Sequence, residues 1–173
     1  MANFNIYFPK LIKFEGASFE DVPGDRGGAT KYGVILSEWI AKGYDKDGDG
    51  DVDRDDLKLI TADDAAKIAK SHYWDKIKGD QIDSQIIAEF IADFAYNSGT
   101  GTAAKKTQEV LGVEQDGAIG PNTLTKINAS DPADLLGRLK ARREKFYRAI
   151  VANDPSQNKF LKGWLNRNNS FNI

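Results

Sequence analysis

Six large apolar side chains crowd one short stretch of this chain: Ile82, Ile86, Ile87, Phe90, Ile91 and Phe94. Their spacing is helical, and a helix this apolar is stable only where other elements cover it. The sequence therefore predicts a central helix that ends near Asn97-Ser98-Gly99, with the rest of the chain built around it. The neighbouring signals are helical as well. Phe4, Phe8, Leu11, Ile12 and Glu15 share one face of a helix over residues 5–15, and Gly16 is placed to end it. Pro9 suits that helix only in its first turn. A short helix is expected over Ser37–Lys42, and Thr61 starts another that runs to Tyr73, with acids in its first turn. A helix over residues 102–111 stops at Gly112, and Pro121 starts the next as a first-position proline. Asp131-Pro132 caps a long helix to Asn153 with Leu135, Leu136, Leu139, Phe146 and Ile150 inward. Asp154-Pro155 opens the last, which carries Phe160 and Trp164. The Gly- and Asp-rich stretch 17–33 reads as loop or short hairpin. The fold class is mainly α.

One segment interrupts this pattern with metal chemistry. Residues 45–56 place oxygen ligands at positions 1, 3, 5, 9 and 12 of a twelve-residue loop, glycine at position 6 and an aliphatic residue at position 8. This is the EF-hand calcium pattern. Asp45, Asp47 and Asp49 would supply carboxylates, Asp51 its backbone carbonyl, and Asp53 a direct or water-mediated contact. Asp56 stands where the pattern usually has a longer, bidentate Glu. Val52 would point inward and anchor the loop. Seven Asp against Lys46 and Arg54 give the segment a charge of −5, and carboxylates this dense repel unless a cation neutralises them. The alternative is a solvated acidic turn. The expected ion is a structural Ca2+.

Composition excludes some classes. No cysteine is present, so disulfide frameworks and thiolate metal sites are out. The net charge is −2, and no nucleic-acid recognition motif is visible. The basic stretch Arg138, Lys140, Arg142, Arg143, Lys145 and Arg148 reads as a solvated helix face.

Glu15 ends an otherwise apolar stripe at a helix C-terminus. Desolvation and the helix dipole both disfavour a negative charge there, which suits a proton donor. Asp25 and Thr30 follow in a polar Gly-rich loop, where a carboxylate stays ionised. Carboxyls in contrasting environments are the pattern of an acid and its partner in glycoside hydrolysis. Tyr32 lies beside that loop. Tyr96 could stack on a sugar, and Asn97 could bond an N-acetyl group; capping and packing account for them nearly as well. His72, the single histidine, reads as a packed or capping residue, and Trp39, Trp74 and Trp164 as fillers of the interior.

Phe14-Glu15-Gly16, followed by Asp21-Val22-Pro23-Gly24-Asp25-Arg26-Gly27-Gly28-Ala29-Thr30-Lys31-Tyr32-Gly33-Val34, closely resembles the N-terminal signature of glycoside hydrolase family 108, the N-acetylmuramidases also described as secretion activator proteins. The family usually has Glu-Gly-Gly at the first site, where this chain has Glu15-Gly16-Ala17. The Glu, Asp, Thr order is also similar to phage-type lysozymes. Further on, Gln108-Glu109-Val110-Leu111-Gly112-Val113 and Asp116-Gly117-Ala118-Ile119-Gly120-Pro121-Asn122-Thr123 resemble the peptidoglycan-binding region that accompanies the family. An equally weighted structural reading has Gly117 and Gly120 permitting a tight turn that touches no sugar.

The resemblance implies a lysozyme-like helical fold and cleavage of the β-1,4 bond between N-acetylmuramic acid and N-acetylglucosamine. Glu15 would be the acid, with Asp25 and Thr30 activating or positioning a water. That is an inverting arrangement, with carboxyls roughly 6.5–9.5 Å apart. The hydrolysis would need no cofactor. Residues 1–92 would form the catalytic lobe with the calcium loop inserted, and 93–173 a peptidoglycan-binding lobe packed with it as one unit. Two other functions fit the same words: a non-catalytic peptidoglycan-binding or secretion-assisting protein, and a chitinase- or chitosanase-like glycosidase. The first ten residues show no signal peptide, and no stretch is apolar enough to span a membrane. Action in the periplasm or wall would then follow release by another route. A monomer is expected.

Overall fold

The computed structural model describes residues 1–21 and 28–173, and its elements are almost all helices. They form two units by internal contact, residues 4–72 and residues 73–173 together with 1–3.

In the first unit α1 runs Phe4–Glu15 and buries Phe4, Tyr7 and Leu11. Pro9 sits in the middle of α1 and not in its first turn, so it cannot donate to the Asn5 carbonyl. Gly16 ends the helix with φ 80°. Strands β1 (Thr30–Lys31) and β2 (Val34–Ile35) pair antiparallel, Lys31 facing Val34, across the two-residue turn Tyr32-Gly33. Both turn residues have positive φ, 51° and 76°, the geometry that matches strand twist in a tight hairpin. Helix α2 (Leu36–Lys42) follows. A Cβ on Gly43 would lie 2.4 Å from the Trp39 indole, so only glycine lets the chain turn there. The acidic loop leads into α3 (Arg54–Leu59), a helix the sequence did not suggest because its capping pair, Asp53 and Asp56, reads as metal ligands. Thr61 then caps α4 (Ala62–Ala69) as expected, through a reciprocal bond pair with Asp64. Ala29, Val34, Trp39, Leu57, Ile60, Ala65 and Ile68 form the core, with Val52 packed against it as the loop's anchor.

The chain passes into the second unit through a π turn at Lys70–Trp74. Trp74 is fully buried and donates to Asp80 Oδ1 at 2.7 Å; a Cβ on Gly79 would approach its ring to 2.3 Å. Helix α5 (Gln85–Ser98) is the central helix, with every residue from Ile87 to Ala95 buried. Helices α6 (Thr100–Leu111) and α8 (Pro132–Asn153) pack on it, α7 (Pro121–Ala129) joins α6, and α9 (Asn158–Asn169) lies on α8. Gly112 stops α6 at φ 67°, and Pro121 and Pro132 open α7 and α8. The inward face of α8 differs from expectation. Leu135, Leu136 and Leu139 are buried, but the face continues through Arg143 and Tyr147, while Phe146 and Ile150 are half-buried. The expected lobe border at 92/93 lies within α5, and the two contact units divide at 72/73. Among the described residues no helix is long and apolar enough to cross a membrane.

Candidate functional site

Glu15 is the last residue of α1, half-buried, beside Phe14 with 43% exposure. Thr30 is half-buried and fixed on both sides, pairing with Ile35 in the hairpin and exchanging backbone bonds of 2.7 and 2.8 Å with Glu20. Glu20 thus stands opposite Thr30, a carboxylate the sequence reading passed over because it has no motif around it. Asp25, the third expected member, lies outside the described residues. Tyr32 leads the hairpin turn, half-buried against the unit's core, with Lys31 Nζ 5.8 Å from its ring. Thr30 and Tyr32 are thereby held on one short hairpin.

Tyr96 and Asn97 belong to the other unit, at the end of α5. The Tyr96 ring lies 4.7 Å from that of Tyr73. Asn97 is exposed, and its amide donates back to the Asp93 carbonyl at 2.8 Å. Asp93 itself is fully buried and joins two arginines. Arg143 Nη2 donates to it at 2.8 Å, and Arg167 reaches it with Nη2 at 2.6 Å and Nε at 3.0 Å. Arg143 has no exposure and is ringed by Phe90, Phe94 and Tyr147, centroids 5.0–5.4 Å from its guanidinium carbon. The basic stretch is therefore not uniformly solvated. His72 bonds its neighbour Ser71 at 2.8 Å, a local contact.

The acidic loop folds by Asx turns. Asp45 accepts from the amides of Gly48 and Gly50 at 2.6 and 2.9 Å, Asp47 from Asp49 and Asp49 from Asp51, both at 3.1 Å. One oxygen each from Asp45, Asp47 and Asp49 lies within 4.8 Å of the others, and the same holds for Asp51, Asp53 and Asp56. Two oxygens that share a calcium ion at about 2.4 Å are at most about 4.8 Å apart, a bound both triplets meet. The loop thus groups the side chain of Asp51, expected to lend its backbone carbonyl, with those of Asp53 and Asp56. Asp56 is 1% exposed and accepts from the amides of Lys46, Asp47 and Asp53 at 2.5, 3.1 and 2.8 Å. The Asp53 amide, then those of Lys46 and Asp47, hold it below the usual carboxylate range. By contrast, the Asp49 carboxylate pushes Asp51 up.

Behind the loop stands Asp64, which sequence reading took only as a first-turn acid. It accepts from Tyr44 at 3.0 Å, Lys46 Nζ at 2.7 Å, and Thr61 through amide and hydroxyl at 2.8 and 2.9 Å. Burial opposes its charge, but Lys46 and Thr61 outweigh that and hold the carboxyl well below its ordinary value. The clamp ties the first residues of the loop to the start of α4.

In the C-terminal motif, Gln108 is 1% exposed and spends its amide on its own loop: Asp116 at 2.7 Å, Ala118 carbonyl at 2.9 Å, Thr123 at 3.1 Å, with the Gly117 amide donating back at 3.0 Å. Gly117 takes φ 83° as the turn needs, whereas Gly120 is extended at φ −87° and serves as the N-cap of α7. These bonds follow the structural reading of the motif.

A family model described as Glycosyl hydrolase 108 matches residues 8–99, and one described as Predicted Peptidoglycan domain matches residues 102–169. Their border falls at Gly99–Gly101, where α5 meets α6. Twelve chains of solved structures match. One, the structure of Brucella abortus SagA, is 30% identical, with 97% of this chain and 90% of that chain covered and a TM-score of 0.78. No curated protein matches.

Proposed function

We infer the bond cleaved, and the residues that cleave it, from the fact that this chain belongs to the glycosyl hydrolase 108 family and is a peptidoglycan hydrolase. We propose that it is an N-acetylmuramidase acting on the β-1,4 bond between N-acetylmuramic acid and N-acetylglucosamine. Glu15 donates a proton to the departing sugar oxygen. Asp25 draws a proton from the attacking water, and Thr30 orients that water, so the anomeric configuration inverts. Tyr32, Tyr96 and Asn97 contact the glycan. The observation that carries this reading is the placement of Glu15 as the half-buried last residue of α1, inside the matched segment. An inverting pair needs roughly 6.5–9.5 Å between its carboxyls to admit the water. The substrate lies outside the cytoplasmic membrane, so we place the activity in the wall after release.

The second part of the proposal is a structural Ca2+ held by the Asp45–Asp56 loop, through Asp45, Asp47, Asp49, Asp51 and Asp56. Two triplets of suitable spacing and the mutual repulsion at Asp51 support it. The ion would neutralise the loop and leave proton transfer to Glu15.

The test is release of reducing ends from purified sacculi, with products read by mass spectrometry. Glu15→Gln should lower turnover by about 10²–10⁴-fold, the usual share of a general acid. Equal clearing by wild type and Glu15→Gln would overturn the assignment, and preferential cleavage of chitin would overturn the substrate.

A further inference from the structure

We propose that an open pocket at the start of α5, bordered by the end of α7 and the start of α8, binds a methyl-bearing secondary amide of peptidoglycan. This rests on the reading of the chain as a peptidoglycan hydrolase, and it uses none of the residues assigned to hydrolysis. The pocket measures about 280 Å³, and its apolar floor is Ile87 and Ile127, both buried, with Pro132 beside them. Whole-ligand pockets run to about 300–1,000 Å³, so the size suits one substituent group and not a disaccharide-peptide.

The polar lining divides into two kinds. Asn128 is engaged at both ends of its amide, accepting from the Asp83 amide at 3.0 Å and donating to the Gln81 carbonyl at 2.9 Å. Ser130 donates to the Lys126 carbonyl at 2.8 Å. These two build the wall. Asp83 and Ser84 differ: neither side chain bonds any described residue, although Ser84 occupies the N-cap position where a serine hydroxyl ordinarily caps its helix. A carboxylate only accepts, and a hydroxyl can donate. An amide N–H directed at Asp83, its carbonyl at Ser84 and its methyl on Ile87, Ile127 and Pro132 satisfies all three surfaces. Two parts of peptidoglycan carry that group: the acetamido arm of its sugars and the alanyl amide of its stem peptide.

The test is backbone amide NMR on the full-length Glu15→Gln protein, titrated with an N-acetylglucosamine tetramer, its fully deacetylated counterpart and L-alanyl-D-isoglutamine. The amides of Ser84, Ile87, Asn128 and Ser130 should shift with an acetamido or alanyl probe and not with the deacetylated sugar. Response to the tetramer alone names the glycan as source, and response to the dipeptide alone names the stem. Asp83→Ala with Ser84→Ala should weaken binding about tenfold while leaving the spectrum otherwise folded. No shift with either amide probe, or equal affinity in the double variant, overturns the proposal. Wild-type hydrolysis of sacculi, measured in parallel, reports on the enzymatic reading independently.

Discussion

Asp93→Ala isolates the buried charge cluster at the end of α5. The wild-type carboxylate is fully buried and meets two guanidiniums, Arg143 at 2.8 Å and Arg167 at 2.6 Å. Removing it affects the two arginines unequally. Arg167 keeps 15% of its side chain exposed and can turn to water. Arg143 has no exposure, and its Nη1 already lacks a partner among the described residues; without Asp93 its Nη2 loses one too. Its Nε bond to the Tyr147 hydroxyl at 2.8 Å and the three surrounding rings remain, but none of these is an anion. Breaking a buried pair from one side costs about 3–5 kcal/mol. At about 2–4 °C per kcal/mol for a chain of this length, the melting temperature should fall by roughly 6–20 °C. Urea unfolding at pH 7, followed by circular dichroism, measures the loss. Adding Arg143→Met removes the stranded charge and supplies apolar volume, so the double variant should be more stable than the sum of the single losses by about 1–3 kcal/mol. A cost below about 1 kcal/mol for Asp93→Ala, or strict additivity in the cycle, would refute the reasoning.

Four further outcomes are expected of this protein. Asp64→Asn removes the charged acceptor of Lys46 and Thr61 and should cost about 1.5–3 kcal/mol at pH 7 by thermal melting. Because the folded-state value of Asp64 is depressed, this contribution is complete above the ordinary aspartate pKa near 3.9 and is lost as pH falls towards the folded value; a wild-type-to-variant gap that widens below pH 4 would contradict it. Calcium at about 100 times its dissociation constant should stabilise the protein by about 2.7 kcal/mol, and a melting temperature indifferent to calcium and chelator would remove the ion from the loop. Gly79→Ala forces a methyl to 2.3 Å from the Trp74 ring and should cost about 1–3 kcal/mol, read by the same melts. Tyr32→Asn, a residue that tolerates positive φ, should keep the hairpin and the fold yet reduce turnover on sacculi; full activity would exclude Tyr32 from the glycan site.

Much of the helical frame was legible because its signals are local. Thr61, Gly99, Gly112, Pro121 and Asp131 each act within one helical turn, and each stands at the expected boundary. The misreadings share a different cause. Arg143 looked solvated because its partner Asp93 lies fifty positions away, and periodicity alone cannot weigh a charge against such a partner. Asp64 reads as a first-turn acid, and neither its reciprocal cap with Thr61 nor the lysine reaching back from the loop shows in the sequence. Helix α3 was hidden because its cap, Asp53 with Asp56, was already spent on the metal pattern. For the candidate site, sequence words nominate Glu15, Thr30 and Tyr32, but the bridge from Thr30 to Glu20 follows from strand pairing that two-residue strands hardly announce.

The two glycine-faced tryptophans have an experimental use. Trp39 sits in one unit and Trp74 in the other, each with 1% exposure or less. Their indoles differ in one respect: Trp74 donates to a carboxylate, whereas the Trp39 Nε1 has no acceptor among the described residues. Each unit thus carries a buried indole of its own, and the half-buried Trp164 adds another to the second unit. Replacing one indole at a time with phenylalanine would show, from fluorescence, whether the two units of this hydrolase melt together or in turn.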